Sequence, residues 1–90
     1  MTLQYQRSAE VVSTNVDGEE VLLSIENGTY YGLNSVASRI WQLIKQPKSF
    51  DALCCVLQNE FDVTAEQCET ETQALLNDFE KEKVVIITDV

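Results

Sequence analysis

The sequence predicts an α+β fold in which a three-stranded antiparallel sheet is followed by three helices. In the first half of the chain, short β-prone runs with a period of two are separated by turn residues, which is typical of half-buried strands. In the second half, apolar residues recur at spacings of three and four, which is typical of amphipathic helices. The order of these two patterns favours a sheet with helices packed against it.

Three strands are expected ahead of the helices, over residues 10–15, 21–25 and 29–33. Asp17-Gly18 marks the first turn. Asn27-Gly28 marks the second and predicts a two-residue type I′ hairpin, because both turn positions need positive φ.

The first two helices have clear ends. Asn34 or Ser35 can cap the first, and Pro47 stops it, since the residue before a proline disfavours helical geometry. Trp41 should lie at the edge of the apolar stripe of this first helix. Ser49 can cap the second helix, whose apolar residues fall within one arc.

The third helix has the clearest start. Thr64 is the expected N-cap, Gln67 completes a capping box, and Val63 and Cys68 can form a hydrophobic staple. The β-prone run at residues 84–87 should add a short terminal strand. We expect one domain over residues 1–90, with residues 1–8 frayed because they are mostly polar.

The charge restricts the partners. Fifteen acidic residues against six basic ones give a net charge of −9, which repels phosphate backbones and argues against nucleic acid. An equally good interpretation is that the charge only keeps a small domain in solution. No spanning apolar run or signal peptide is present, so no membrane partner is expected. Three cysteines, an odd number, suggest a reducing cytoplasm.

No catalytic group is predicted. Histidine is absent, which removes the commonest general base and metal ligand. The many carboxylates of the third helix are read as a solvated face. Cys54 and Cys55 point about 100° apart on a helix and would not chelate one metal, so Cys54 and Cys68 are expected in the core and Cys55 on the surface. We therefore expect neither an enzyme nor a bound cofactor or metal.

The third strand is the candidate binding element. It carries no lysine, proline or inward charge that would block pairing at its edge, and glycine would let another backbone approach closely. A peptide could be added there as an extra strand. The alternative is that its tyrosines are ordinary strand aromatics and its glycine marks a corner. The candidate residues are Thr29, Tyr30, Tyr31, Gly32 and Leu33.

Three segments together resemble the PqqD-like family of precursor-peptide recognition proteins. They are "EEVLLSIENGTYYGLNSVASRIWQLI", "SFDALCCVLQNEFDV" and "TAEQCETETQALLNDFEKEKVVI". The matching positions are Gly28, Tyr30, Tyr31, Leu33, Asn34, Ile40, Trp41, Phe61, Asp62, Val63, Leu75, Leu76 and Phe79. The sequence departs from the family where Glu82-Lys83-Val84 replaces a glycine-containing corner and where Thr72 replaces a larger apolar residue.

The resemblance implies a winged helix-turn-helix-like fold without catalytic activity. It implies that the leader segment of a ribosomally made precursor peptide is added as a strand between the third strand and the third helix, and is then presented to a leader peptidase or other modifying enzyme, as in lasso-peptide biosynthesis. The helix residues expected to face the peptide are Glu71, Ala74, Leu75 and Asp78. The opposite flank, with Gln73, Leu76 and Glu80, is the alternative.

Two other functions stay open at this point. One is a peptide chaperone for a radical-SAM enzyme, as in pyrroloquinoline quinone assembly. The other is a DNA-binding winged helix, which the charge disfavours. A homodimer through the sheet edge is a further option.

Overall fold

The computed structural model describes residues 2–25 and 28–89. Within these residues, six strands and three helices follow one another. They are β1 Leu3–Arg7, β2 Val11–Val16, β3 Glu19–Ser24, β4 Tyr30–Gly32, α1 Ser35–Leu43, β5 Lys48–Ser49, α2 Phe50–Glu60, α3 Ala65–Lys81 and β6 Val85–Asp89.

The predicted sheet of β2, β3 and β4 is present and antiparallel, in the spatial order β2-β3-β4. Together with the three helices, it confirms the α+β prediction. Asp17 and Gly18 both have positive φ, at 53° and 90°, and they connect the facing residues Val16 and Glu19, so the two-residue type I′ geometry occurs at this turn. The same geometry predicted at Asn27-Gly28 involves Asn27, which lies outside the described residues.

The three predicted N-caps are confirmed. The side-chain oxygens of Asn34, Ser49 and Thr64 each accept a hydrogen bond from the backbone N–H three residues further on, at 2.9, 3.1 and 3.1 Å. Each bond satisfies one of the donors that the first turn of a helix leaves unpaired. The helices therefore begin where local side-chain chemistry predicts.

A second antiparallel sheet, in the order β5-β1-β6, was not predicted. Its central strand is β1, so the expectation that residues 1–8 are frayed is wrong for Leu3–Arg7. β1 pairs with β6 over its whole length, and Tyr5 is buried in the core. Polar composition suggested fraying, but pairing on both sides and one buried aromatic hold the segment in place.

Trp41 is completely buried, and the prediction that it lies at the edge of the apolar stripe is wrong. The ring of Phe79 on α3 meets it edge-on, with the ring centroids 6.1 Å apart. The guanidinium carbon of Arg7 lies 4.7 Å from the centroid of the indole ring, within cation–π range. The second sheet supplies this arginine, so the tryptophan is enclosed on a side that the helix pattern alone leaves open.

The buried apolar residues form one cluster to which both sheets and all three helices contribute. None of the helices within residues 2–25 and 28–89 has the length and apolar character needed to cross a bilayer.

Candidate functional site

The strand β4 lies at an edge of its sheet, with β3 as its neighbour. Leu23, Leu22 and Val21 face Tyr30, Tyr31 and Gly32, respectively. Backbone hydrogen bonds from Ser24 N–H to Thr29 O and from Leu33 N–H to Glu20 O close the ladder at its two ends, at 3.0 and 2.9 Å.

The position of these two bonds decides which backbone groups of β4 point outward. In an antiparallel pair, hydrogen-bonded and non-hydrogen-bonded residue pairs alternate. Because Thr29 and Leu33 belong to hydrogen-bonded pairs, Tyr31 does too, and its N–H and C=O face β3. The N–H and C=O groups of Tyr30 and Gly32 therefore face away from the sheet. These are the groups that an added strand would use.

The side chains of β4 divide between two faces. Tyr30 is 71% exposed and lies on the outer face. Leu33 is buried in the core, and Tyr31 is half-buried against it. The Tyr31 hydroxyl donates a hydrogen bond of 2.8 Å to a carboxylate oxygen of Glu82, the residue that caps α3 at its C-terminus. This bond links the edge strand to the end of α3.

An open cleft of about 430 Å³ lies between the start of α1 and the middle of α3. All four helix residues predicted to face a peptide line it. Its lining residues are Asn34, Val36, Ala37, Glu71, Ala74, Leu75 and Asp78.

The predicted strand residues and helix residues thus belong to adjoining parts of one surface. The five residues 29–33 do not line the cleft, but the chain passes from Leu33 directly into Asn34, which does. The opposite flank of α3 differs, because Leu76 is buried in the core while Gln73 and Glu80 are exposed. Of the two flanks weighed, the one with Glu71 and Asp78 is the one beside a cleft.

The contribution of α1 was not predicted from the sequence. Val36 has the spacing of the apolar stripe of α1, which is typical of a core residue, and Ala37 carries no sequence signal for a binding site. In the structure Val36 is only partly buried, and Asn34 caps the helix while lining the cleft. The predicted helix cap at Asn34 directly follows the candidate strand, and this adjacency is the sequence signal that could have placed the start of α1 at the site.

The three cysteines form no disulfide, and they occupy the predicted environments: Cys54 and Cys68 are buried and Cys55 is exposed. Burial raises the pKa of the Cys54 thiol from its ordinary value of 9.0 to about 11, with the neighbouring Cys68 adding to the effect. Such a thiol is a poor nucleophile at neutral pH. Within residues 2–25 and 28–89, no three histidine, cysteine or acidic side chains are grouped so that they could hold a metal ion.

Comparison with known families places the chain. The family model described as coenzyme PQQ synthesis protein D (PqqD) matches residues 19–85. The chain belongs to the PqqD family. The match begins at β3 and ends at the first residue of β6, so it includes β4, the cleft and α3. No curated protein sequence matches the chain significantly.

Two solved structures resemble this PqqD-family chain closely. TbiB1 in complex with the TbiA(beta) leader peptide is 31% identical, with a TM-score of 0.83 over 89% of this chain and 93% of that one. Lasso peptide synthetase B1 complexed with the leader peptide is 23% identical, with a TM-score of 0.80 over 91% of this chain and 96% of the other. At its lower identity, the second likeness supports the fold alone.

Proposed function

We propose that this PqqD-family protein binds the leader segment of a ribosomally synthesised precursor peptide, as a strand added to β4 beside α3. The observation that carries the proposal is the outward direction of the Tyr30 and Gly32 backbone groups next to the cleft. Backbone hydrogen bonds would supply affinity, and the cleft would accept alternate side chains of the peptide. The leader peptide bound to the related TbiB1 supports the ligand class.

The bound leader would then be delivered to a leader peptidase or other modifying enzyme of a lasso-peptide pathway, and the protein itself would catalyse no step. The absence of histidine from the whole chain and the raised pKa of the buried Cys54 support a binding role. An odd number of cysteines, none of them in a disulfide, supports a cytoplasmic location. We also propose that residues 1–90 act as one domain.

Two finer alternatives have separate grounds. The family description supports a peptide chaperone in coenzyme PQQ synthesis, in which the modifying enzyme is a radical-SAM enzyme.

A homodimer could form through the edge strand β2, since Val11–Val16 carries no charged residue and unprotected edges pair readily. Sedimentation velocity with and without peptide separates the monomer from the dimer.

Amide hydrogen exchange, followed by NMR, tests the binding mode at single residues. In the free protein the amides of Tyr30 and Gly32 should exchange quickly and that of Tyr31 slowly, because only the last is bonded to β3. Adding the leader peptide of the precursor encoded beside this protein should protect Tyr30 and Gly32. Binding that leaves both amides unprotected would rule out strand addition at β4.

A gel-shift with random duplex DNA at low salt tests the remaining class of function. The net charge of −9 predicts no complex, because phosphate contacts need clustered lysine and arginine. A clear shift at moderate protein concentration would favour a DNA-binding winged helix over peptide binding.

A further inference from the structure

The flank of α3 that faces the cleft carries a line of carboxylates. Glu71 and Asp78 both line the cleft, and being seven residues apart they differ by only about 20° around the helix axis. Glu82 follows four residues later and accepts the hydrogen bond from Tyr31. The line therefore runs along the side of α3 that is connected to the edge strand.

Between these carboxylates the cleft is apolar. Val36 and Ala37 of α1 form one wall, and Ala74 and Leu75 of α3 form the other. No lysine or arginine is among the lining residues, and the nearest basic residue of α3, Lys81, lies beyond them and is exposed. Arg39 on α1 is already engaged by Glu60 through two hydrogen bonds of 2.7 and 2.8 Å. The residues that line this cleft thus combine apolar walls with the two carboxylates of Glu71 and Asp78, and no basic side chain is among them.

We propose that the cleft selects a peptide that carries a lysine or arginine at a position facing α3. This inference rests on the proposed strand addition and specifies the chemistry of the ligand. Long basic side chains combine an apolar stem with a charged head. The stem would lie on Ala37 and Leu75, and the head would reach the carboxylates of Glu71 and Asp78.

The register of an added strand makes the inference specific. Successive side chains of a strand point to opposite faces. A basic residue on the same face as Tyr31 and Leu33 points toward α3, whereas the next residue along the peptide lies beside the exposed Tyr30. Shifting the basic residue by one position therefore moves it away from the carboxylates.

α3 also offers a matched control. Glu69 and Glu80 are exposed and lie on the opposite flank of the same helix. Replacing both with glutamine changes the net charge by the same amount as Glu71→Gln with Asp78→Asn. If the affinity came from a general attraction between an acidic protein and a basic peptide, both pairs of substitutions would lower it equally. If it came from recognition in the cleft, only the substitutions at Glu71 and Asp78 would lower it.

The experiment is a selection of short random peptides displayed on phage, carried out with the unmodified protein and with both double variants. We expect enriched peptides from the unmodified protein and from Glu69→Gln/Glu80→Gln to share a lysine or arginine. We expect that preference to disappear with Glu71→Gln/Asp78→Asn. A selected peptide, made synthetically and titrated by calorimetry, should lose about tenfold in affinity for the cleft variant or when its basic residue is moved by one position.

The outcomes separate this inference from the proposed function. Selected peptides that protect the Tyr30 and Gly32 amides but carry no basic residue, or that bind the cleft variant and the control variant equally, would overturn the charge preference and leave strand addition standing. Failure to select any peptide that protects those amides would overturn both.

Discussion

The Tyr31 hydroxyl donates a 2.8 Å hydrogen bond to Glu82, across 51 positions of sequence. The bond joins the edge strand β4 to the C-terminal cap of α3. The two elements that border the proposed peptide site are therefore joined at one end by this side-chain hydrogen bond, while the cleft beside Asn34 is open at the other.

Removing this bond should lower the free energy of unfolding slightly, and the effects of replacing its two partners should not be additive. Tyr31→Phe and Glu82→Gln should each lower the free energy of unfolding by about 0.5–1 kcal/mol, because the bond is exposed although one partner is charged. In a double-mutant cycle measured by denaturant unfolding, the double variant should lose less than the sum of the single variants. Strict additivity would mean that the contact does not contribute in solution.

Tyr30→Pro should weaken strand addition without unfolding the protein. The Tyr30 N–H faces away from β3, so proline removes an outward donor but no ladder bond of the sheet. We expect leader affinity to fall by about tenfold, because one edge hydrogen bond is lost and the facing peptide carbonyl is left without its donor. Tyr30→Val, which keeps the N–H, is the control for the lost ring. Equal leader affinities of the two variants in a calorimetric titration would contradict the proposed edge.

Replacing Arg7 should lower the free energy of unfolding more than replacing Arg39, although Arg39 has a carboxylate as its hydrogen-bond partner and Arg7 a backbone carbonyl. The Arg7 Nε donates a 2.8 Å hydrogen bond to the Trp41 backbone carbonyl, and its guanidinium covers the indole ring. Burial lowers the Arg7 pKa, with a smaller opposing effect from Glu20. Arg7→Ala should cost about 1–3 kcal/mol, and Arg39→Ala about 0.2–1 kcal/mol.

Denaturant unfolding followed by tryptophan fluorescence measures both costs. Arg7→Ala should also change the emission of the folded state, because the guanidinium lies against the Trp41 ring. If the two alanine variants proved equally stable, the contact between Arg7 and Trp41 would not hold β1 against the core.

Leu75 and Leu76 are neighbours with opposite roles. Leu76 is 1% exposed, so Leu76→Ala should cost about 2–5 kcal/mol of stability. Leu75 is partly buried and lines the cleft, so Leu75→Asp should fold and bind the leader more weakly. Circular dichroism and a leader titration distinguish the two effects. A folded Leu75→Asp with undiminished leader affinity would exclude this cleft as the peptide site.

The three thiols should react at two rates with a thiol reagent near pH 8. Exposed Cys55 should react quickly, and the two buried cysteines only on unfolding. Cys55→Ser should remove the fast phase, and a fast phase that survives this substitution would contradict the burial of the other two.

Because the Cys54 pKa is raised in the folded state, from 9.0 to about 11, the folded protein keeps a proton that the unfolded chain releases. The Cys54 contribution to stability should therefore decline as the pH rises across that interval.

Local patterns determined much of the fold. Asn34, Ser49 and Thr64 predicted the starts of the three helices, because a cap depends on one side chain and a backbone N–H three residues away. Asp17-Gly18 predicted its turn for a similar local reason. The candidate strand and the flank of α3 were named from the sequence as well, but the resemblance to a family, rather than residue spacing, pointed to that flank.

Nonlocal pairing could not be predicted in the same way. β1 is polar in sequence, and nothing near it in the chain indicates a strand, since its partners in β5 and β6 lie 43–45 and 78–86 positions away. Within β3 the alternation of residues suggests Val21 and Leu23 as the buried side chains, yet the structure buries Glu20, Leu22 and Ser24. Which face of a strand is buried depends on what packs against it, and period alone does not decide it.

The sequence by itself therefore determined the helix starts, the first hairpin, the acidic net charge and the absence of histidine, all of which follow from neighbouring residues or from composition. The tertiary structure alone decided that Tyr30 and Gly32, and not Tyr31, direct their backbone groups outward. That direction follows from the register between β3 and β4, which is fixed by bonds at Ser24 and Leu33 and not by the side chains of the edge strand. The tertiary structure also decided that Asn34 and Val36 form a cleft with α3. A groove exists between α1 and α3 only after these helices, which are distant in the chain, have packed together.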